Sequence, residues 1–223
     1  MVLAGIGIKE LPSSSIILIE EEIGSIKGVF VQRTAYNMAK EGKKVLYISS
    51  TRSEDEVVNE MNLFKMEIPE SMKLIGNSKA QLTLMEILNA EKAKKFLKNQ
   101  NLDESVEDMY SFDVFVIDTY SYLFMDESFD RWLSSFEQIL EIRKNENAIF
   151  IITTDVGVLE ERVETTIRSL VDGIIQFKVD KTGNKVNRYM LIPKMKGLLP
   201  MDKIVPFKVT GEGILLDVRE RVG

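Results

Sequence analysis

The chain has 223 residues, 44% of them hydrophobic, and a formal net charge of −6 at pH 7. It contains no cysteine and no histidine, which excludes disulfides, thiol nucleophiles, imidazole bases and Cys/His zinc sites. The net negative charge and the lack of a long basic tract disfavour binding to nucleic acid. Any catalysis therefore has to use carboxylates, Lys, Arg, Ser, Thr or Tyr.

The length suits a single domain over residues 1–223 with one full hydrophobic core. No stretch approaches the roughly 20 uninterrupted apolar residues that a membrane-spanning helix needs. The N-terminus lacks a basic segment followed by a long apolar run, so no secretory signal is predicted. We expect a cytoplasmic protein without a membrane span.

The first fifty residues predict a strand, a loop, a helix and a second strand. An apolar run at 16–19 leads into a short loop, a helix is predicted over 27–41, and a second apolar strand covers 45–49. Two strands joined in this way lie parallel. This is the framework of a phosphate-binding loop, in which backbone N–H groups and a Lys hold phosphates and a hydroxyl holds Mg²⁺.

The loop itself lacks most of the residues that bind phosphate. With Lys27 aligned to the lysine of G-x-x-x-x-G-K-[ST], the first glycine is Glu21, the second is Ile26 and the hydroxyl residue is Gly28. Gly24 is an additional small residue in the loop. Lys27 is therefore the one defining position that this chain keeps.

Three consecutive acids, Glu20 to Glu22, precede the loop where a polyphosphate would lie. A like-charge pair near 4 Å costs on the order of 4 kcal/mol at an effective dielectric constant of about 20. We therefore predict a nucleotide-binding framework whose pocket is filled by its own carboxylates, paired with Lys27. The alternative is a helix-start lysine neutralised by Glu21 or Glu22 beside a solvated loop.

The middle of the chain continues the alternation of helices and strands. A helix is predicted after Ser53, a strand at Met72–Ile75 and a long helix over 80–97. The buried side of the long helix is predicted to carry Leu82, Met85, Leu88 and Ala93. The polar and acidic stretch 99–108 is the best candidate for a mobile loop.

A buried strand over 113–118 ends in Asp118. A carboxylate at the carboxyl end of a parallel strand lies at the rim where α/β sheets bind ligands, and in phosphate-loop proteins such an acid orders Mg²⁺. The alternative is an acid that caps the following turn. Because the upstream loop lacks its glycines, we favour a structural remnant over a metal ligand.

The last third of the chain changes character. A helix over 129–144, a strand over 148–153 and a helix over 160–170 come first, and the second helix is predicted to bury Val163, Ile167 and Leu170. After Gly173 the pattern is one of short antiparallel strands. The predicted fold class is therefore α/β, with three layers and a mostly parallel central sheet that ends in antiparallel C-terminal strands.

These residues together resemble the RecA-like ATPases of the KaiC family, whose members include clock, archaellum-motor and recombinase-paralogue proteins, most of them archaeal. The resemblance covers nearly the full length and rests on the order and spacing of short segments at 17–20, 39–49, 116–118, 170–175, 191–197, 206–210 and 213–214. It implies the RecA-like phosphate-loop fold. It also implies that Mg-ATP, if bound, would contact Gly24, Ser25, Lys27, Gly28, Asp118, Lys194 and Lys196.

The departures from the family fall on the catalytic residues. Family members carry two acids just after the second strand that activate water, and the matching positions are Thr51 and Arg52. The family's Lys-Met-Arg-Gly element, which reaches a neighbouring subunit's nucleotide, is present with Lys196 in place of arginine. An ammonium is not equivalent to a planar guanidinium at a phosphate. Alternatively, Lys194 and Lys196 are solubilising charges on an edge segment.

Three functions follow as hypotheses. The first is a catalytically inactive KaiC-like protein, without catalytic residues, metal or cofactor, that acts through a protein partner, a homo-oligomer or an active relative. The second is an ATP-binding protein with weak or no hydrolysis. The third, a recombinase paralogue on DNA, is disfavoured by the acidic composition.

Overall fold

The structure, a computed structural model, describes residues 4–5, 8–22, 26–99, 111–199 and 204–217, with the backbone alone for 91–99. Gly24 and Ser25 lie outside these residues, as do the side chain of Ala93 and nearly all of the predicted loop 99–108. Within the described chain, no helix is long and apolar enough to cross a bilayer.

The described residues form nine strands and six helices. The strands are β1 (Ser15–Glu21), β2 (Val45–Ser49), β3 (Met72–Ile75), β4 (Val114–Asp118), β5 (Ile149–Asp155), β6 (Gly173–Thr182), β7 (Lys185–Met195), β8 (Val205–Thr210) and β9 (Gly213–Leu216). The helices are α1 (Lys27–Lys40), α2 (Glu54–Leu63), α3 (Asn77–Asn99), α4 (Tyr120–Phe124), α5 (Phe129–Asn145) and α6 (Glu161–Leu170). The short helix α4 is absent from the prediction.

One sheet joins all nine strands in the order β3-β2-β4-β5-β1-β6-β7-β8-β9. The six strands from β3 to β6 pair in parallel, and β6 to β9 pair antiparallel. This arrangement confirms the predicted mostly parallel sheet with antiparallel C-terminal strands. The register aligns Glu21 with Asp155 and Ser49 with Asp118, so the carboxyl ends of four strands meet at one rim.

The core consists of two apolar layers, one on each face of the sheet. Because alternate residues of a strand face opposite sides, β1 sends Ile17 and Ile19 to one layer and Ile16 and Leu18 to the other. The first layer packs against α1 and α2, and the second packs against α3, α5 and α6. Strands covered on both faces are continuously hydrophobic, which explains why their sequence patterns predict them well.

Three side chains predicted to be buried are exposed, so those predictions are wrong. Leu82 and Met85 of α3 are 63% and 40% exposed, and Leu170 at the end of α6 is 37% exposed. The buried side of α3 carries Ala80, Leu84, Ile87 and Leu88 instead. The apolar residues of this helix are not confined to one side, so its sequence pattern is compatible with two different buried faces.

The segment that joins α6 to β6 holds three strands together. Asp172 accepts a hydrogen bond from the Ile16 backbone at 2.9 Å and another from Arg143 at 2.6 Å. At Gly173 a Cβ would lie 2.8 Å from both Ile17 Cδ1 and Met195 Sδ, so a larger residue on β6 would have to displace the ends of these side chains from β1 and β7. These contacts fix the register of β1, whose opposite end carries Glu21.

Candidate functional site

A cavity of about 500 Å³ lies where the carboxyl ends of β1, β4 and β5 face the first turn of α1. This rim of a parallel sheet is where α/β proteins bind ligands. The charged side chains that line it are Glu21, Lys27, Arg52, Glu60, Asp118 and Asp155. Four acids and two bases therefore share the space.

Lys27 lies at the start of α1 with its ammonium between two carboxylates. Its Nζ lies 2.9 Å from Glu21 Oε1 and also contacts Asp155. The residue is 5% exposed. Burial alone lowers the pKa of Lys27, but Glu21 and Asp155 outweigh it and raise the pKa above its ordinary value. The predicted pairing of this lysine with a carboxylate is thus present.

Glu21 makes a second contact with the same residue. Its Oε2 accepts a hydrogen bond from the Lys27 backbone N–H at 3.0 Å. The N-terminus of a helix, with its free N–H groups and positive dipole end, is the usual place for a phosphate or another anion. In this chain the carboxylate of Glu21 accepts hydrogen bonds from both the helix N–H and the lysine ammonium.

Ile26, at the position of the second loop glycine, has a left-handed backbone with φ 75° and ψ 38°. A β-branched residue rarely adopts this conformation, and such strain costs on the order of 1–3 kcal/mol. Glycine adopts it without strain. The backbone at this position therefore keeps the conformation that a glycine would have provided.

We expect Ile26→Gly to be more stable than Ile26→Ala by about 1 kcal/mol, because both lose the same side chain and only glycine relieves the strained backbone. Urea unfolding of the two variants measures the difference. The alanine variant is the matched control for lost contacts. A glycine variant no more stable than the alanine variant would contradict the left-handed conformation.

Asp118 is 1% exposed and is fully engaged by neighbouring side chains. Its Oδ2 lies 2.6 Å from Arg52 Nη2 and accepts a hydrogen bond from the Tyr47 hydroxyl at 2.8 Å. Its Oδ1 accepts one from the Thr153 hydroxyl at 3.0 Å. The carboxylate is held in one orientation, with its charge balanced by the Arg52 guanidinium.

Arg52 also reaches a second acid, Glu60 on α2. Burial alone lowers the pKa of Arg52, whereas Asp118, Tyr47 and Glu60 raise it well above its ordinary value. Burial and the Asp118 carboxylate likewise raise the pKa of the Tyr47 hydroxyl. At neutral pH the guanidinium is therefore charged and the tyrosine is neutral.

The three consecutive acids do not act together. Glu20 faces the opposite side of the strand, where it accepts hydrogen bonds from Arg168 at 2.7 Å and Gln176 at 2.9 Å. Glu22 is exposed and does not line the cavity. The prediction that the whole block faces the phosphate position is wrong. Glu20 and Glu21 are neighbours on β1 and point to opposite faces, and Glu22 follows the end of the strand.

The structure brings together Lys27, Gly28 and Asp118 of the predicted nucleotide-contacting residues. Lys194 and Lys196 lie elsewhere, and Lys194 pairs with Ile174 near the amino end of β6. Lys194 Nζ donates to the Ser169 carbonyl at 3.1 Å, and Lys196 Nζ lies 3.8 Å from Asp172. Within this chain neither lysine reaches the cavity.

Three charged residues of the cavity, Arg52, Glu60 and Asp155, are absent from the predicted site. Asp155 was missed because the predicted strand ends at Thr153, although an acid that ends a parallel strand beside β1 is the relevant signal. Arg52 was identified only as the replacement for a family acid. Arg52 follows β2 and Asp118 ends β4, so both lie at the same rim of the sheet. These positions in the sequence could have indicated the contact between them.

Comparisons with known proteins agree with this framework. The archaeal flagellar ATP-binding protein FlaH of Methanococcus voltae is 23% identical over 211 residues, which cover 93% of this chain and 90% of that protein. The FlaH protein of Methanocaldococcus jannaschii is 26% identical over 193 residues, covering 82% of this chain and 79% of that protein.

Solved structures share the fold. The flagellar accessory protein FlaH from Methanocaldococcus jannaschii superposes with a TM-score of 0.74 at 21% identity, covering 97% of this chain and 95% of that one. A KaiC-like protein from Pyrococcus horikoshii OT3 gives a TM-score of 0.67 at 18% identity, covering 93% and 91%. The sequence model of the KaiC ATPase family matches residues 5–220. This chain therefore belongs to the KaiC ATPase family and has its RecA-like fold.

Proposed function

We propose that this chain is a KaiC-family protein that does not hydrolyse ATP and acts through contacts with other proteins. The observation that carries the proposal is the position of the Glu21 carboxylate, which accepts from both the Lys27 ammonium and the Lys27 backbone N–H. These two donors are the ones that a phosphate would need.

A phosphate entering the cavity would have to displace the Glu21 carboxylate from the two Lys27 donors. It would then lie next to the displaced carboxylate. The like charges repel by about 4 kcal/mol at 4 Å and an effective dielectric constant near 20. Asp155 adds a second carboxylate at the same ammonium. With Gly28 at the hydroxyl position and Arg52 on Asp118, the residues present do not fit Mg-ATP.

The comparisons support an accessory role. The relatives that match nearly the whole chain are named as flagellar ATP-binding and accessory proteins. By analogy, this chain would work as a subunit that binds a protein partner, a second copy of itself or an active KaiC-family relative. Size-exclusion chromatography with light scattering separates a homo-oligomer from a chain that needs another partner.

The alternative is an ATP-binding protein without turnover. It is favoured by the relatives, which are described as ATP-binding proteins, and by the presence of a lysine at the family position. It requires Glu21 and Asp155 to move away from Lys27 when the nucleotide enters.

Thermal unfolding with and without Mg-ATP separates the two functions. A ligand at one hundred times its dissociation constant stabilises by about 2.7 kcal/mol, which raises the Tm of a protein of this size by about 5–10 °C. We expect no shift at millimolar Mg-ATP and no phosphate release above buffer.

The FlaH protein of Methanocaldococcus jannaschii, named as ATP-binding, is the positive control. A shift without hydrolysis would support the alternative. Hydrolysis that disappears in a Lys27→Ala variant would overturn the proposal.

A further inference from the structure

The Arg52 guanidinium lies between the two groups that flank Mg²⁺ in phosphate-loop proteins. Those groups are the loop hydroxyl and the strand-ending Asp. In this chain the first position is Gly28, where a Cβ would lie 3.4 Å from Arg52 Nη2. The second is Asp118, whose Oδ2 is 2.6 Å from the same nitrogen.

The guanidinium is held from several sides. Glu60 contacts its other terminal nitrogen, and Glu60 is itself held by Gln32 Nε2 at 2.5 Å. The Arg52 backbone N–H donates to Ser49 Oγ at 3.2 Å, and its carbonyl accepts from the Asn77 N–H at 2.9 Å. The guanidinium is therefore held by α2 and β4 and is linked through Glu60 to Gln32 of α1, while β2 and the start of α3 hold the Arg52 backbone.

We propose that the Arg52 guanidinium is a built-in cation that occupies the divalent-metal position of this cavity and joins α1, α2 and β4 in place of a metal. The inference rests on the proposed function and explains how the same cavity excludes Mg²⁺. Two carboxylates that share one guanidinium form a metal site once that guanidinium is removed, because carboxylate oxygens are preferred ligands of hard divalent cations.

The competing explanation is an ordinary structural ion pair. Arg143 and Asp172 provide such a pair. Arg143 Nη1 lies 2.6 Å from Asp172 Oδ2, and both side chains are mostly buried. Removing either arginine should destabilise the fold by leaving a buried carboxylate unpaired. Only at Arg52 should a divalent cation take the place of the lost charge.

The test uses Mn²⁺ and no nucleotide, so its result is independent of whether the protein binds ATP. In Arg52→Ala we expect one Mn²⁺ to bind with a dissociation constant on the order of 1 mM, measured by loss of the free-ion electron paramagnetic resonance signal. At about 10 mM Mn²⁺ the Tm of this variant should rise by about 4 °C.

The wild type and Arg143→Ala should show neither binding nor a Tm shift. Adding Asp118→Asn to Arg52→Ala should remove the response, because it removes a metal ligand. Arg52→Met, which keeps most of the alkyl chain, replaces the alanine variant if that variant does not fold.

Two results would overturn the proposal. One is Mn²⁺ binding to the folded wild type that Asp118→Asn abolishes, since the metal position would then be open beside Arg52. The other is a folded Arg52 variant that responds to Mn²⁺ no more than Arg143→Ala does.

Discussion

Lys27→Ala is expected to destabilise the protein by about 3–5 kcal/mol in buffer without nucleotide, which is the usual result of removing one partner from a buried ion pair. The ammonium stands between Glu21 and Asp155, and each of the two acids has a side chain less than one fifth exposed. Without it, two carboxylates would share a small space and repel. Urea denaturation at neutral pH measures the loss.

The triple variant Glu21→Gln, Lys27→Met and Asp155→Asn is the matched control. It removes all three charges while keeping side-chain volume, and replacing a whole buried ion pair is often nearly neutral for stability. We expect it to recover most of the loss. A Lys27→Ala variant as stable as the wild type would mean that the lysine is not engaged by the two acids and is free to bind a ligand.

Much of the fold could be predicted from sequence because buried parallel strands are continuous apolar runs. The strands around Ile17, Tyr47 and Val116 are examples, and each is almost fully buried on both faces. The short helix after Asp118 was missed because five residues are too few to show a helical period.

The pairing of Lys27 with Glu21 could be predicted because six residues separate them and the loop pattern places both at one site. The contact between Arg52 and Asp118 spans 66 residues and depends on the strand order of the sheet, which local patterns do not determine. Asp155 lies 128 residues from Lys27, and it was missed because the predicted strand ended at Thr153, two residues before it. The sequence thus identified the lysine and one of its acids, while the sheet topology added the other contacts.

The fourfold variant Glu21→Gly, Ile26→Gly, Gly28→Thr and Arg52→Ala is expected to bind Mg-ATP with a dissociation constant on the order of 10 μM, whereas we expect the wild type not to bind at millimolar nucleotide. Glycine at 21 removes the competing carboxylate, and the left-handed backbone at Ile26 already suits glycine. Removing one repulsion of about 4 kcal/mol between a carboxylate and a phosphate increases the affinity about a thousandfold. Isothermal titration calorimetry measures the gain.

The threefold variant that keeps Arg52 separates the phosphate position from the metal position. A threonine at 28 would place its Cβ 3.4 Å from Arg52 Nη2, so the guanidinium still competes with Mg²⁺. We expect this variant to bind ATP more weakly and with no dependence on Mg²⁺. Adding Lys27→Ala to the fourfold variant should abolish binding. If the fourfold variant folds and binds no nucleotide, then Glu21 and Arg52 are not what closes this cavity to ATP.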